Sequence, residues 1–595
     1  MLLIYLFFFS PKPEEVQQNA TKPTATAAAN ARPDSTLAPA APDSAMLARQ
    51  LGSFATAAQG LAQQVQLQND DLTLTFNSKG GRIEAVRLNK YKTFFGKPLD
   101  LLDAQSAQLD TRFRTTDGRT VRFSDLYFQP SSVQPISNNG TQGQQLTFTA
   151  GVAGGSIVQT YSLLNDSYEV GYSIRFQGLG NTVAQEPLTF TFLDHVRQTE
   201  QDAKQNRNHS TINHYLAKDD QGALAEASEK PEEAVFTEPV KWAAHKHDFF
   251  VAGIIAERPF ASAKFNANVN LEDSTYLKTL SSQLAIPVAD VQQGKAYFRF
   301  YFGPNTFSLL KKVAPEFDRN VYLGWGLFRW VNRFVVIPIF HFFEQFISSY
   351  GIIIVLLVLV IKLATWPLTY KTYVSQARMK VLKPEIDEIK EKHGDDQAKV
   401  QSETMKLYSS MGVSPLSGCV PTLLTMPILF AMYQFFPNAI ELRQEHFLWA
   451  KDLSTYDNLI QLPFDLPFLG HHISLFTVLM TLSTLLMTWQ GQQMNTAMQG
   501  PMKFYSYLMP IIFFFVLNSF AAGLTWYYFV SNIITFGQQA ITRNFIDDTK
   551  IRAQLEANKV KNKDKKPGGF QARLAEAMKA TQEREAQTRR QPKGK

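Results

Sequence analysis

The chain has 595 residues, of which 45% are hydrophobic and 19% charged, and a net charge of +7. That length allows about four domains. The apolar content gathers in residues 325–541, which excludes a uniform soluble globule, a coiled coil and a wholly disordered chain. Charge is also localised: residues 542–595 carry 15 Lys+Arg against 7 Asp+Glu, a local net of +8, so the preceding 541 residues sum to −1.

Residues 1–10 open with an apolar run from Leu2 to Phe9 and no basic residue before it. A nine-residue helix rises only about 14 Å, half of a hydrocarbon core of about 30 Å. The expectation is an N-terminal transmembrane segment cut short, with a short interfacial anchor as the alternative. Residues 11–70 are rich in Ala, Pro and Gln, with Phe54 as their only aromatic. Such a stretch buries too little apolar surface to offset its ordering entropy. It reads as a linker with a short helix near 46–66.

Residues 71–318 switch to period two. Leu72, Leu74 and Phe76 alternate with threonines, and Tyr168, Val170, Tyr172, Ile174 and Phe176 alternate with polar residues. Turn signals at 77–81, 138–140 and 154–155 separate such runs. Half-buried antiparallel strands in this number predict a β-sandwich. In residues 319–346, Trp325, Phe328, Trp330, Phe334 and Phe343 interleave with Arg329, Arg333 and Glu344. This predicts an amphipathic interfacial helix, divided by Pro338. An ordinary buried helix is the alternative.

Residues 347–541 hold apolar blocks that predict five transmembrane spans, at about 351–369, 419–439, 472–489, 507–521 and 524–541, the last two forming a hairpin that turns at Gly523. Residues 370–418 carry 8 Lys+Arg, whereas the loop 440–471 carries only Arg443 and Lys451. The positive-inside rule therefore puts 370–418 and the tail in the cytoplasm, and the β-domain and the 440–471 loop outside. Residues 371–412 read as a cytoplasmic helical hairpin. Met379, Leu382, Ile386 and Ile389 make its seam, and a break comes at Gly394 with Asp396 nearby. The tail, 542–595, is basic with few aromatics, which suits anionic lipid, phosphate backbones or simple enforcement of topology.

No phosphate-binding loop, H-E-x-x-H or G-x-S-x-G motif occurs in the sequence. The single cysteine, Cys419, excludes an intrachain disulfide and multi-cysteine metal sites, and it reads as a small buried hydrophobe. His471 and His472 at a span boundary read as capping or interfacial residues. No catalytic residue, metal or cofactor is expected. Lys362 is the sharpest feature, because it lies inside the first span and no Asp or Glu occurs in any of the five. A charge at a helix centre costs about 2.5–3.5 kcal/mol. Either it sits in a wet cavity lined by groups such as Thr365, Thr425, Gln434 and Asn518, or it snorkels to the inner headgroups.

Several stretches carry a family resemblance: residues 360–369 (VIKLATWPLT), 379–385 (MKVLKPE), 412–421 (GVSPLSGCVP), Met426 with Pro427, and 523–532 (GLTWYYFVSN). In order and spacing they resemble the YidC/Oxa/Alb family of membrane protein insertases. Residues 242–250 (WAAHKHDFF) and 301–304 (YFGP) resemble the periplasmic domain of its Gram-negative members. The resemblance implies a multi-domain membrane protein with a periplasmic β-supersandwich and an α-helical transmembrane core. Five spans enclose a hydrophilic groove open to cytoplasm and lipid, with a cytoplasmic helical hairpin.

It further implies that Lys362 stands where the family usually has arginine, and that Tyr527 and Tyr528 touch the passing segment. The hairpin, with Met379, Leu382, Pro384 and Glu385, captures substrate. The implied function is insertion and folding of integral membrane proteins without enzymatic chemistry, in a bacterial inner membrane, with a cytoplasmic C-terminus. The implied partners are nascent membrane proteins, the Sec translocon, the lipid bilayer and, through the tail, the ribosome. The alternatives are a multispan permease with an outer substrate-binding domain and a structural envelope-assembly factor. A permease would need coupling-ion carboxylates, which the spans lack.

Overall fold

The computed structural model describes residues 44–273, 275–394, 396–413, 420–466, 469–494 and 501–561, with residues 44, 397–398, 401, 420–425, 465, 493–494 and 501–503 described by backbone only. The expected N-terminal segment 1–10, Cys419 and the tail beyond residue 561 lie outside the described residues.

Alternation produces strands as expected. Leu72–Asn77 buries every second side chain, and Glu169–Gln177 buries Val170, Tyr172, Ile174 and Phe176. Such strands assemble into a ten-stranded and a six-stranded sheet, antiparallel at every pairing described. The two sheets share one core: Phe190 meets Phe300 at 6.0 Å and Phe113 meets Phe176 at 5.3 Å between ring centroids. A further four-stranded sheet packs on the larger one through Phe76 and Tyr161, 4.7 Å apart.

Residues 44–68 belong to this body, although composition reads them as linker. Helix Ser44–Leu51 leads into a 3-10 turn, Gly52–Ala58, that buries Phe54 completely against Phe113 at 5.1 Å. Gln64–Gln68 then pairs with Leu72–Asn77. One aromatic docks the stretch, and averaging over a polar window hides it.

Strand Val240–His247 does not alternate, because both its faces are covered. Ala243 faces the sandwich core, whereas Trp242 and Ala244 join a second core built mostly by helices. The indole Nε1 of Trp242 donates to Pro315 O at 3.0 Å. The sheet thus rests on the segment leading to the bundle. That segment runs without a break through Leu327–Val331, a π turn at Asn332–Val336, and Ile337–Glu344. Pro338 does not divide it, since the wider π turn absorbs the missing N–H. Trp325, Trp330, Phe334, Phe342 and Phe346 are exposed along it, while Val336, Ile337 and Phe340 are buried.

The C-terminal region is helical: α1 Tyr350–Val381, α2 Lys383–His393, α3 Gln397–Ser410, α4 Val420–Phe435, α5 Leu475–Met494, α6 Pro501–Leu517, α7 Ala522–Phe545 and α8 Asp548–Lys561. Among the described residues, α1 is the one helix long and apolar enough to cross a membrane by length and composition. It runs 12 residues beyond the expected span end at 369, so the following helix pair begins at Lys383 rather than 371. Asp396 caps α3 by accepting from Lys399 N at 3.1 Å.

Met379, Leu382, Ile386, Tyr408 and Met411 form a small core that Ile551 and Leu555 of α8 complete. Part of the expected tail is therefore a packed helix. The turn expected at Gly523 falls at residues 518–521 instead. Gly523 sits in the first turn of α7, where a Cβ would lie 3.0 Å from Leu453 O and 3.1 Å from Phe436 Cδ1. Close approach, not a turn, is what requires glycine there.

Candidate functional site

Lys362 lies twelve residues into α1, about 18 Å of helical rise from its start. It is half-buried, and its Nζ donates to Thr535 Oγ1 on α7 at 2.8 Å. Thr535 in turn donates to Ser531 O at 2.6 Å. One turn further on, Gln538 Nε2 donates to Lys362 O at 3.0 Å. One turn before Thr535 on α7, Asn532 Nδ2 donates to Ser483 Oγ and Thr484 Oγ1 of α5, both at 2.9 Å. A polar seam therefore joins α1, α7 and α5 within otherwise apolar helices. Among the described residues no carboxylate forms an ion pair with Lys362. Its charge is met by a hydroxyl alone, and the cost of burying a cation stays largely uncompensated.

The other sequence-predicted residues fall in three places. Thr365 is beside Lys362, with its hydroxyl turned back to Ile361 O at 2.8 Å. Tyr527 and Tyr528 stand on α7 about two turns before Thr535, their rings 5.7 Å apart, and Tyr527 lies 5.6 Å from Phe436. Gln434, on α4, packs near Gly324 of the connecting segment, and the side chain of Thr425 lies outside the described residues.

Asn518 is elsewhere, fully buried at the turn before α7. Its amide donates to Leu469 O at 3.1 Å and His472 O at 2.8 Å, and its carbonyl accepts from Ser474 N at 2.9 Å. His472 returns a bond of 3.0 Å to Asn518 O and stacks on Tyr456. In the helix pair, Met379 and Leu382 are buried, Pro384 is exposed, and Glu385 accepts from Arg552 of α8 at 3.1 Å. No grouping of metal-ligating side chains occurs among the described residues.

Sequence reasoning passed over Thr535, Ser483 and Thr484. A signal existed: Ser531, Thr535 and Gln538 recur at i, i+4, i+7, as do Thr477, Thr481, Thr484 and Thr488 with one further turn. A second contact was not legible at all. Arg443 Nε reaches both carboxylate oxygens of Glu200, at 3.0 and 2.9 Å, and its guanidinium also donates to Lys92 O at 2.7 Å. Both side chains are nearly inaccessible, and the guanidinium lies 5.0 Å over the Phe250 ring.

Two protein-family models match the chain: the YidC periplasmic domain over residues 64–339 and the 60Kd inner membrane protein over residues 342–550. The membrane protein insertase YidC of Amoebophilus asiaticus is 42% identical, over 98% of this chain and 96% of its own. That of Cytophaga hutchinsonii is 42% identical, over 91% and 89%. The chain belongs to the YidC membrane protein insertase family. Among solved structures, the active YidC insertase with its first transmembrane domain resolved aligns over 81% of this chain and 93% of its own, at 18% identity and a TM-score of 0.33. The Arg443–Glu200 pair joins the two regions that the YidC family models match separately, and the Lys362 seam lies wholly within the second.

Proposed function

We propose that this chain inserts hydrophobic segments of nascent membrane proteins into the inner membrane, its β-domain lying in the periplasm. The observation that carries this is Lys362: a cation on a membrane-length helix, answered among the described residues by one hydroxyl and no carboxylate. A charge so placed is costly to keep, and its use is to be neutralised transiently by a substrate. An acidic flank of an entering segment supplies that neutralisation in a reduced dielectric. The apolar part of the segment then moves along the Tyr527 and Tyr528 side of α7 into lipid, driven by burial of its own surface. A polar seam partway through the bilayer shortens the path over which the flank is unsolvated. No covalent step is required.

In this reading α1, α4, α5, α6 and α7 are the five spans. The α2–α3 pair, α8 and the tail face the cytoplasm, where they meet substrate and, through the basic tail, the ribosome. The exposed aromatics from Trp325 to Phe346 lie in the outer headgroup layer. The protein works alone or beside the Sec translocon.

The test is reconstitution of the purified chain in liposomes with a single-span substrate carrying an acidic translocated flank. Protease protection of that flank without ATP is the expected result, together with loss of protection in Lys362→Glu. Absence of protection by the correctly oriented wild-type chain overturns the reading.

A further inference from the structure

Among the described residues, the Lys362 ammonium and the Thr535 hydroxyl make the one contact in the seam between a charge and a side chain. The geometry fixes the direction of that contact. Thr535 spends its only proton on Ser531 O, one turn back on α7, at 2.6 Å. Its oxygen is therefore left with lone pairs, and it faces the ammonium as an acceptor. Three residues along the same face of α7, Gln538 Nε2 binds the backbone carbonyl of Lys362 itself at 3.0 Å. Lys362 is thus gripped at both ends, side chain and main chain, by residues at i and i+3 on one helix. α7 is in turn tied to α5 through Asn532, with Ser483 and Thr484 at 2.9 Å each. A lysine side chain has four rotatable bonds and, left alone near the end of a membrane helix, carries its charge toward the headgroups. A single neutral acceptor holds it at the seam, yet yields to a carboxylate, which makes the stronger charge-assisted bond.

We propose that Thr535 is the positioning residue for the Lys362 charge, holding the ammonium at the α1–α7 seam until the acidic flank of an entering segment displaces it. This rests on the insertase function proposed above. Thr535 acts through Lys362 and has no role of its own with substrates that lack an acidic flank.

The test compares insertion of two single-span substrates, alike except for an acidic or a neutral translocated flank, by wild type, Thr535→Val, Thr535→Ser and Lys362→Ala. Thr535→Val removes the acceptor at nearly constant volume. The ratio of acidic-flank to neutral-flank insertion is expected to fall about ten-fold in it, the size of a lost hydrogen bond to a charged group. Thr535→Ser, which keeps the oxygen, is expected to hold the wild-type ratio. In the Lys362→Ala background Thr535→Val is expected to change the ratio no further, since the group it positions is gone.

A fall in both substrates together, or a further loss of the ratio in the Lys362→Ala background, overturns the proposal by showing a packing role instead. Thr535→Ala reads the same ratio if valine crowds the α1–α7 contact. Wild-type insertion of the neutral-flank substrate in the same assay separates the two claims. If wild type inserts and the Thr535 ratio does not move, this inference fails while the function stands. If wild type inserts neither substrate, the function fails.

Discussion

In the β-domain, Asp194 is completely buried and accepts from His245 Nδ1 at 3.3 Å and His247 Nε2 at 2.5 Å, while where the domain meets the helical region Arg443 clasps Glu200 at 2.9 Å. In the bundle, Lys362 is half-buried and has the hydroxyl of Thr535 at 2.8 Å. The first two charges are met by partners that can carry the opposite charge. Among the described residues, the third is not. Under the proposed function, burial of charge alone does not mark the working site of this molecule; burial without a counter-charge does. The difference follows from the two environments. A sheet sandwich can bring distant strands together to pair a charge, whereas a helix in lipid has only its few neighbours to offer, and here they offer hydroxyls and amides.

The comparison is broken most severely at Arg443. Glu200→Ala leaves a buried guanidinium that keeps its hydrogen bond to Lys92 O and its place over the Phe250 ring but loses its bidentate carboxylate. The expected loss is about 3–5 kcal/mol in denaturant unfolding of the full chain in detergent. Replacing both partners by apolar residues, Glu200→Leu with Arg443→Met, is expected to return most of it, because the desolvation cost vanishes with the charges. A single-mutant loss under about 1 kcal/mol would show that water reaches the pair.

A smaller effect sharpens the same side of the comparison through pH. Burial by itself raises the Asp194 carboxyl, but attraction to His247 and hydrogen bonds from His245 and His247 outweigh it and hold it at about 2, below its ordinary 3.8. A depressed carboxylate contributes stability that is complete above pH 3.8 and drains as pH falls toward 2, here about 2 kcal/mol. Burial lowers His245 from its ordinary 6.5 despite the Asp194 carboxylate. Below pH 6.5 the unfolded chain therefore takes up a proton that the folded chain refuses, and stability falls with pH there too. Both groups act in the same direction. Amide protection factors, observed exchange divided into the intrinsic rate at each pH, should fall in strands Leu188–Arg197 and Val240–His247 from pH 6 downward, most steeply below pH 4. Asp194→Asn should flatten the steep part; a curve unchanged by that substitution would place the acid sensitivity elsewhere.

The strands of the sandwich were legible where one face is wet, because alternation at 72–76 and 168–176 reports that face directly. It failed at 240–247, where helices cover the second face and the period disappears. Phe54 was invisible to composition, since one buried ring in a polar window carries a docking that averages cannot detect. Lys362 was legible because a lone charge in an apolar run needs no partner to be noticed. Its partner was not: Thr535 is 173 residues away, and Glu200 is 243 residues from Arg443. The bounds of α1 and of the turn before α7 moved for a related reason. Hydropathy marks where a helix meets lipid, whereas the helix itself continues as long as its hydrogen bonds and its packing partners, such as Ile551 and Leu555 in the cluster with Met379, allow.

The mildest change asks what the bundle's charge must be. Lys362→Arg keeps the charge but exchanges a compact ammonium for a planar fork of five donors, of which Thr535 can satisfy one. The remaining donors seek water or a bidentate carboxylate, so an acidic flank should be held somewhat more firmly and released somewhat more slowly. Insertion of acidic-flank substrates should change by less than about three-fold, against a loss of about ten-fold for Lys362→Ala. Initial insertion rates on the same liposomes read both. If Lys362→Arg fell as far as Lys362→Ala, charge would not be what the seam provides. The contrast with Asp194 and Glu200 would then be one of shape, with a slim side chain needed where α1 and α7 touch. If both variants matched wild type, the unpaired cation would be a tolerated cost, and the bundle would handle its buried charge no differently from the sandwich.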